Sequence, residues 1–408
     1  MKVLQINFSD YLKGGGSAIA MHRLHEGLKH ENVESKILCG TKTLNTSDSV
    51  QISRNFRLER FLERFTSRIG LNDIHGVSSF QIPQLREYQE ADILHFHLIH
   101  SGFFSYLALP KLTQHKPAVF TLHDMWSFTG HCAYSYDCER WQSGCGQCPY
   151  PNTQPAVTRD STRWEWKLKD WAYQRSNLTV VADSRWLAEL AKASMLNHFP
   201  VHHIPYGLDV DVYRPMGIGE CRSVLGIPAD KHVLMFSAVD LKDRRKGGDL
   251  LTAALQNLPE EIKARALLLI LGEGGETIAQ NVGIPTYNLG YVSSDRLKAV
   301  AYSAADLFLF PTRFDAFGIV AQEAAACGTP TVSFKVGGVP DIVRPGITGY
   351  LATPENIEDF CHGIVHLLDN VEQRLQMGHQ CRMIAETEYS LEIQAKRYLN
   401  IYHQILKG

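Results

Sequence analysis

The stretch FDAFGIVAQEAAACGTP at residues 314–330 indicates how the chain folds and what it binds. The apolar run AADLFLF, a predicted buried strand, ends just before it, and a helix of small residues follows the pair Phe317-Gly318. A strand, a loop and a helix N-terminus in this order let backbone N–H groups and the helix dipole meet a phosphate. Asp315 before the helix and Glu323 within it suit hydroxyl-rich ligands, because a carboxylate accepts hydrogen bonds from adjacent sugar hydroxyls.

Length and composition restrict the class of protein. With 408 residues, 44% of them hydrophobic, the chain is too long for one core and fits two domains. A formal net charge of −2 argues against nucleic acid as a partner. No apolar run reaches the roughly 18 residues that span a bilayer, and the N-terminus MKVLQINFSD lacks signal-peptide features. These features predict a cytoplasmic protein.

Short apolar strands alternate with helical segments, which predicts an α/β protein with parallel sheets and helices on both faces. In the first half the strands are predicted at residues 2–7, 35–39, 92–97, 118–123, 178–182 and 201–205. In the second half they are predicted at residues 232–239, 266–272, 286–290, 306–310, 330–334 and 349–352.

The opening stretch resembles the motif of the retaining GT-B glycosyltransferases of family 4, the Glycos_transf_1 type. The cysteines that follow the stretch from Thr121 to Gly130 resemble those of a subset of these enzymes that build bacterial exopolysaccharide, including the colanic-acid type. Asp315 and Asp341 stand where the family usually has glutamate. The resemblance implies a GT-B fold, with two Rossmann-like domains whose parallel sheets face each other across a cleft. It implies an acceptor-side domain over 1–206, a nucleotide-sugar domain over 207–388, and a helix over 389–408 that returns to the first domain.

The same resemblance implies transfer of a sugar, with retention of configuration, from a UDP- or GDP-sugar to a glycan or lipid-linked acceptor. It implies no catalytic cofactor. Two alternatives stay open on the same fold. One is a catalytically weak chain that acts as a scaffold, and the other is a sugar-nucleotide epimerase or phosphorylase.

The basic turn Arg244-Arg245-Lys246 precedes two glycines and resembles the family's cationic diphosphate element. Lys246 matches the family lysine, whereas the usual arginine position falls near Asp240 or Leu241. The resemblance therefore assigns Lys246 and either Arg244 or Arg245 to the diphosphate, where cations stabilise the leaving group. The alternative is a solvated basic turn.

The resemblance assigns the other donor contacts by position. Asp315 and His123 face the sugar, and Glu323 binds the ribose. The remaining contacts are with the phosphates and the base, and they involve Phe317, Gly318, Ile319, Gly272, Gly274 and Val292.

On the acceptor side, Gly15 and Gly16 belong to a glycine-rich loop at residues 13–17, and His97 ends a strand. Glycines let a backbone approach a ligand closely, and the helix that follows favours an anion. For the loop, the alternative is an ordinary turn between a strand and a helix. For His97, the alternative is a metal site shared with His95 and His100.

Four cysteines, Cys132, Cys138, Cys145 and Cys148, lie within 17 residues of a predicted insertion at 124–160. Four thiolates can close a tetrahedral zinc site, so the cluster predicts structural zinc. Free thiols, disulfides or a redox role are the alternatives.

The segment Arg54–Arg68 predicts a helix with Leu58, Phe61, Leu62 and Phe65 on one side and arginines beside them. Packing of this apolar stripe into the core is the favoured interpretation. The alternative is a helix that lies on an anionic membrane, which would hold the protein peripherally at the inner face of the membrane.

Overall fold

The computed structural model describes residues 1–11 and 15–407, and these residues divide into two compact units. The first unit comprises residues 1–207 together with the C-terminal segment from Leu391. The second unit runs from Leu208 to Ser390.

The first unit contains a seven-stranded parallel sheet in the order β3-β2-β1-β4-β5-β6-β7. Its strands are β1 (Lys2–Ser9), β2 (Glu34–Thr41), β3 (Ser49–Gln51), β4 (Ile93–Phe96), β5 (Ala118–Leu122), β6 (Leu178–Ala182) and β7 (Val201–His203). Its helices are α1 (Gly15–His30), α2 (Phe56–Arg68), α3 (Arg86–Glu90), α4 (Leu109–Thr113), α5 (Thr162–Tyr173), α6 (Arg185–Lys192) and, at the C-terminal end, α15 (Leu391–Ile405).

Helix α15 shares the core of the first unit. Its Tyr398 and Tyr402 are buried with Val3 and Ile93 of the central strands. Gly27 of α1 lies so close to α15 that a Cβ there would be 2.9 Å from the carbonyl oxygen of Leu391. The final helix therefore packs on the first unit, although it follows the second unit in the chain.

The second unit contains a six-stranded parallel sheet in the order β10-β9-β8-β11-β12-β13. Its strands are β8 (His232–Asp240), β9 (Ala266–Glu273), β10 (Thr286–Asn288), β11 (Leu307–Phe310), β12 (Thr331–Phe334) and β13 (Gly349–Ala352). Its helices are α7 (Ile218–Leu225), α8 (Gly248–Gln256), α9 (Glu260–Arg265), α10 (Gly275–Asn281), α11 (Asp295–Ala304), α12 (Ile319–Ala326), α13 (Ile357–Asp369) and α14 (Val371–Glu388).

The predicted α/β class with parallel sheets is confirmed, and every predicted strand is present. The additional strand, β3, has only three residues, too few to show an alternating or continuous apolar pattern. Among the described helices, none is long and apolar enough to cross a membrane.

The favoured interpretation of helix α2 is wrong. Phe61 and Phe65 expose 69% and 63% of their surface, whereas Glu59 is buried. The Glu59 carboxylate accepts a hydrogen bond from the backbone N–H of Ser78 at 2.8 Å and pairs with Arg54 at 2.7 Å. A buried carboxylate requires such partners, so these polar contacts decide which side of α2 faces inward.

Candidate functional site

The loop between β11 and α12 carries the main candidate site in the second unit. Phe310 ends the buried strand, and Gly318 caps the helix with φ of +98°. Only glycine adopts this left-handed conformation without strain, so the chain can turn from the strand directly into the helix. The backbone N–H groups at the start of α12, which have no partner within the helix, therefore come only a few residues after Asp315 in the chain.

Asp315 joins this loop to the basic turn at residues 244–246. Its Oδ2 accepts from Lys246 Nζ at 2.7 Å and from Arg245 at 3.3 Å. Burial alone would raise the pKa of Asp315, but the charges of Lys246 and Arg245 lower that pKa below its usual value. Burial also lowers the pKa of Lys246, which Asp315 partly offsets. The three side chains form a compact charged cluster beside the helix N-terminus.

The contacts of the basic turn distinguish its two arginines. Arg245 donates to the carbonyl oxygen of Phe314 at 3.0 Å as well as pairing with Asp315. The Arg244 side chain is exposed. Arg245 is therefore the arginine that the structure brings to the candidate site, beside the sequence-predicted Lys246 and Asp315.

Arg313 is a further residue of this region that the motif analysis missed. It donates to the carbonyl oxygen of Arg244 at 2.7 Å and pairs through both terminal nitrogens with Asp249. A third contact joins its Nε to Glu355 at 2.9 Å. Arg313 thus holds the basic turn against the loop. Its position two residues before Asp315 was the feature of the sequence that could have identified it.

Glu323 lies on the second turn of α12 but is 3% exposed. It accepts a hydrogen bond from the hydroxyl of Tyr302 on α11 at 3.2 Å. A ribose diol would therefore have to share this carboxylate with Tyr302.

The other predicted donor residues lie at the ends of strands or beside helix α12. Phe317 is buried against Tyr389, and Ile319 is half-buried at the start of α12. Gly272 lies at the end of β9 and Gly274 follows that strand, whereas Val292 is half-buried in the loop before α11. Gly272 is required there because a Cβ would lie 1.9 Å from the carbonyl oxygen of Ala238.

In the first unit, His123 and His97 belong to one hydrogen-bond chain. His97 Nε2 contacts the Gln5 amide oxygen at 3.0 Å, and His97 Nδ1 contacts His123 Nε2 at 3.1 Å. His123 Nδ1 contacts the hydroxyl of Tyr206, whose ring also stacks on His123. Tyr206 is therefore part of the same chain of contacts.

The partners assign the protons along this chain. The Gln5 oxygen can only accept, so His97 carries its proton on Nε2 and accepts from His123 at Nδ1. His123 then accepts from Tyr206 at its own Nδ1. Burial lowers the pKa of His123 to about 4 and that of His97 well below its usual value, so both rings are neutral near pH 7. Since both ring nitrogens of His123 are engaged, a ligand that bonds to either nitrogen would have to displace His97 or Tyr206.

Gly15 and Gly16 lie at the exposed start of α1. Leu12, Lys13 and Gly14 lie outside the described residues, and with them part of the predicted glycine-rich loop. A Cβ at Gly15 would meet no atom within 4 Å, so the surface around it is open.

The four cysteines line one small cavity together with His131. His131 donates from Nδ1 to the carbonyl oxygen of Pro155 at 2.7 Å, which leaves its Nε2 lone pair 3.2 Å from Cys148 Sγ. Burial raises the pKa of Cys132 to about 12 and that of Cys145 to about 11, so both thiols are protonated unless a metal binds them. The donor types fit zinc, but no three potential ligands within the described residues are grouped around one point. Sequence analysis did not single out His131, which adjoins Cys132.

Two family models match the chain. Residues 14–212 match the model described as Glycosyltransferase Family 4, and residues 219–383 match Glycosyl transferases group 1. Together they leave out only the ends of the chain and a short linker.

Curated relatives match part of the chain. The D-inositol 3-phosphate glycosyltransferase of Mycobacterium leprae is 34% identical over 191 residues, which is 44% of this chain and 42% of that protein. The enzyme of the same name from Xylanimonas cellulosilytica is 30% identical over 223 residues, 51% of this chain and 52% of that protein. The matched region thus spans about half or less of these relatives.

Solved structures match over nearly the whole chain. Sucrose-phosphate synthase from Thermosynechococcus elongatus has a TM-score of 0.73 at 19% identity, covering 100% of this chain and 99% of that one. Anabaena HepE, solved in complex with UDP-glucose, has a TM-score of 0.69 at 16% identity, covering 99% of this chain and 100% of that one. At these identities the likeness concerns the fold.

Proposed function

Because the chain belongs to the group 1 glycosyltransferases and has the GT-B fold, we propose that it transfers a sugar from a nucleoside diphosphate to a glycan or lipid-linked acceptor. The second unit would bind the donor, and the first unit would receive the acceptor near Gly15, Gly16 and His97. We propose retention of configuration on the strength of the family resemblance.

The observation that carries this proposal is the cluster of Asp315, Lys246 and Arg245. The Asp315 carboxylate pairs with Lys246 at 2.7 Å and with Arg245 at 3.3 Å, and Arg245 also pairs with Asp243 at 3.2 Å. A diphosphate brings more negative charge than Asp315 and would compete for the same cations. The cations would then stabilise the charge that develops on the leaving phosphate, and Asp315 would be released toward the sugar.

The relatives support a choice of donor to test first. HepE was solved with UDP-glucose, so a UDP-sugar is the first candidate here, and a GDP-sugar is the second. A structural neighbour, WaaG, is described as a glycosyltransferase of lipopolysaccharide biosynthesis, with a TM-score of 0.69 at 18% identity over 98% of this chain and 99% of that one. Together with the sequence resemblance, the description of WaaG favours a role in making cell-surface or exopolysaccharide glycans, and we propose that this role is carried out in the cytoplasm.

A sugar-nucleotide screen tests this function. The correct donor should raise the melting temperature by mass action, because it binds only the folded protein. That donor should also be hydrolysed slowly without acceptor, which separates an enzyme from a scaffold. Transfer to an acceptor followed by NMR of the new anomeric centre tests retention. No stabilisation by any UDP- or GDP-sugar, and no release of nucleotide, would contradict the proposal.

A further inference from the structure

Helix α2 carries a row of apolar side chains on its solvent side. Leu58, Phe61 and Phe65 follow one another at helical spacing and expose 44%, 69% and 63% of their surface. A helix ordinarily buries such a row against its own domain. A contiguous exposed row is therefore a candidate interaction surface.

A row of cations runs beside the apolar one. Arg57, Arg60 and Arg64 have the same spacing, one residue earlier in each case, and all three are exposed. These six residues, Leu58, Phe61, Phe65, Arg57, Arg60 and Arg64, are called here the α2 outer face. Parallel apolar and basic rows are typical of helices that lie in a membrane interface, with the apolar row among acyl chains and the cations at anionic headgroups.

Polar contacts at both ends prevent α2 from turning this face inward. At its start, Glu59 pairs with Arg54 at 2.7 Å, and Arg54 also donates to the carbonyl oxygen of Gly102 at 2.6 Å. At its end, the Ser161 hydroxyl donates to the carbonyl oxygen of Ile69. Rotating the helix to bury the phenylalanines would break these bonds and leave Glu59 as an unpaired charge.

The neighbouring helix adds an exposed aromatic residue with a cation. Ser161 also immediately precedes α5. On that helix the side chain of Trp164 is 65% exposed, and the Lys167 ammonium lies 5.3 Å from the centre of the Trp164 ring. Tryptophan and lysine have apolar bodies and polar ends, and both are suited to the boundary between headgroups and acyl chains.

We propose that the α2 outer face docks the protein on a membrane surface rich in anionic phospholipid. Charge favours this occupant over a second copy of the chain. Two copies joined through this face would bring arginine rows of like charge together, whereas an anionic membrane complements them.

Vesicle binding measured without donor or acceptor tests this inference, so its outcome does not depend on the proposed transfer reaction. The probe is vesicles of equimolar phosphatidylglycerol and phosphatidylcholine, with pure phosphatidylcholine as the neutral comparison. We expect sedimentation with the anionic vesicles, much weaker binding to neutral ones, and release as salt screens the arginines.

Three pairs of substitutions locate the surface. The Phe61→Ser/Phe65→Ser variant should lower the partition coefficient on the order of 100-fold, because each inserted phenylalanine contributes roughly a factor of ten. The Arg60→Gln/Arg64→Gln variant should lower it roughly tenfold, and only on anionic vesicles. The matched control is Val371→Ser/Leu375→Ser, two residues of α14 that are 50% and 61% exposed. This control should bind as the unaltered protein does.

Three results would overturn the proposal. The first is equal binding to neutral and anionic vesicles, and the second is equal loss in the α14 control. The third is a protein that does not bind vesicles but forms dimers, together with a Phe61→Ser/Phe65→Ser variant that is monomeric by sedimentation velocity. That result would assign the face to a second copy.

Discussion

Lys246 and Arg244 lie two residues apart, but their surroundings differ. The Lys246 ammonium is 2.7 Å from Asp315, whereas the Arg244 side chain is exposed. We expect Lys246→Ala to lower kcat on the order of 100-fold, with a smaller effect on donor affinity, because in the proposed transfer the cation would stabilise charge that develops on the leaving group. Arg244→Ala is the matched control and should change kcat little. Equal losses in the two variants would show that Lys246 has no special role.

Arg245 provides a second comparison at the same cluster. It contacts both Asp315 and the carbonyl oxygen of Phe314, so Arg245→Ala should fall between Lys246→Ala and Arg244→Ala in its effect on kcat. If Arg245→Ala changes kcat as little as Arg244→Ala does, then no arginine of this turn holds the diphosphate.

Glu323 is the second residue whose role can be measured. Loss of a buried hydrogen bond from its carboxylate to a ribose would cost about 1.5–3 kcal/mol, or roughly ten- to a hundredfold in donor affinity. Glu323→Gln is the preferred variant, because its amide oxygen can still accept from Tyr302 and the fold should be preserved. Calorimetric titration of the donor measures the effect. An unchanged dissociation constant would place the ribose elsewhere.

At the scale of elements, the basic turn depends on a close approach of two backbones. Gly247 has φ of +74°, and a Cβ there would lie 1.9 Å from the carbonyl oxygen of Pro311. Gly247→Ala should therefore displace the turn that carries Lys246 and lower activity at least about tenfold, because catalytic groups must be placed accurately.

Gly283 provides the control for this prediction. It has the same φ of +74°, but a Cβ there would meet no atom within 4 Å. Gly283→Ala therefore introduces the same backbone strain without the contact, and it should lose stability but retain kcat. Kinetic constants and melting temperatures of both variants separate the two effects. Equal kcat in both variants would mean that the approach to Pro311 is unimportant.

The cysteine-bearing segment is a second element whose state can be measured. If structural zinc is present, purified protein should contain about one equivalent of metal, and binding should release protons from thiols whose pKa burial has raised. Chelation should then loosen residues 124–160 in hydrogen exchange and leave both sheets protected. Protein with no metal and four freely titrating thiols would make this a cluster of ordinary cysteines.

At the scale of the whole molecule, buried histidines predict sensitivity to acid. Burial lowers the pKa of His25 and that of His123 to about 4 from the ordinary 6.5. Between these values the unfolded chain binds protons that the folded chain does not, so stability is retained above about pH 6.5 and lost as the pH falls toward 4.

The expected loss is about 2 kcal/mol of unfolding free energy per histidine between pH 7 and pH 5. Urea unfolding at the two pH values measures it, with each unit followed by hydrogen exchange. The first unit should weaken more, since burial also lowers the pKa of His95 on β4 and that of His97 just after β4. A His123→Asn variant should show a smaller loss with pH. Equal stability at pH 7 and pH 5 would contradict the prediction.

The sequence alone determined the fold class and most of the candidate donor site. Parallel strands buried on both faces are continuous apolar runs, so their positions could be recognised locally. Likewise Asp315, Gly318 and Lys246 belong to short motifs in which a few neighbouring residues specify the turn and the charge.

Only the tertiary structure decided which side chains meet. Arg245 rather than Arg244 reaches Asp315, 70 residues further along the chain, and His123 pairs with Tyr206, 83 residues away. The same holds for α2, whose apolar row resembles a core face in sequence. Its orientation is determined by the contact of Glu59 with Ser78, 19 residues further on. Periodicity reports that a helix has two different faces, but the partners of its polar residues determine which face is buried.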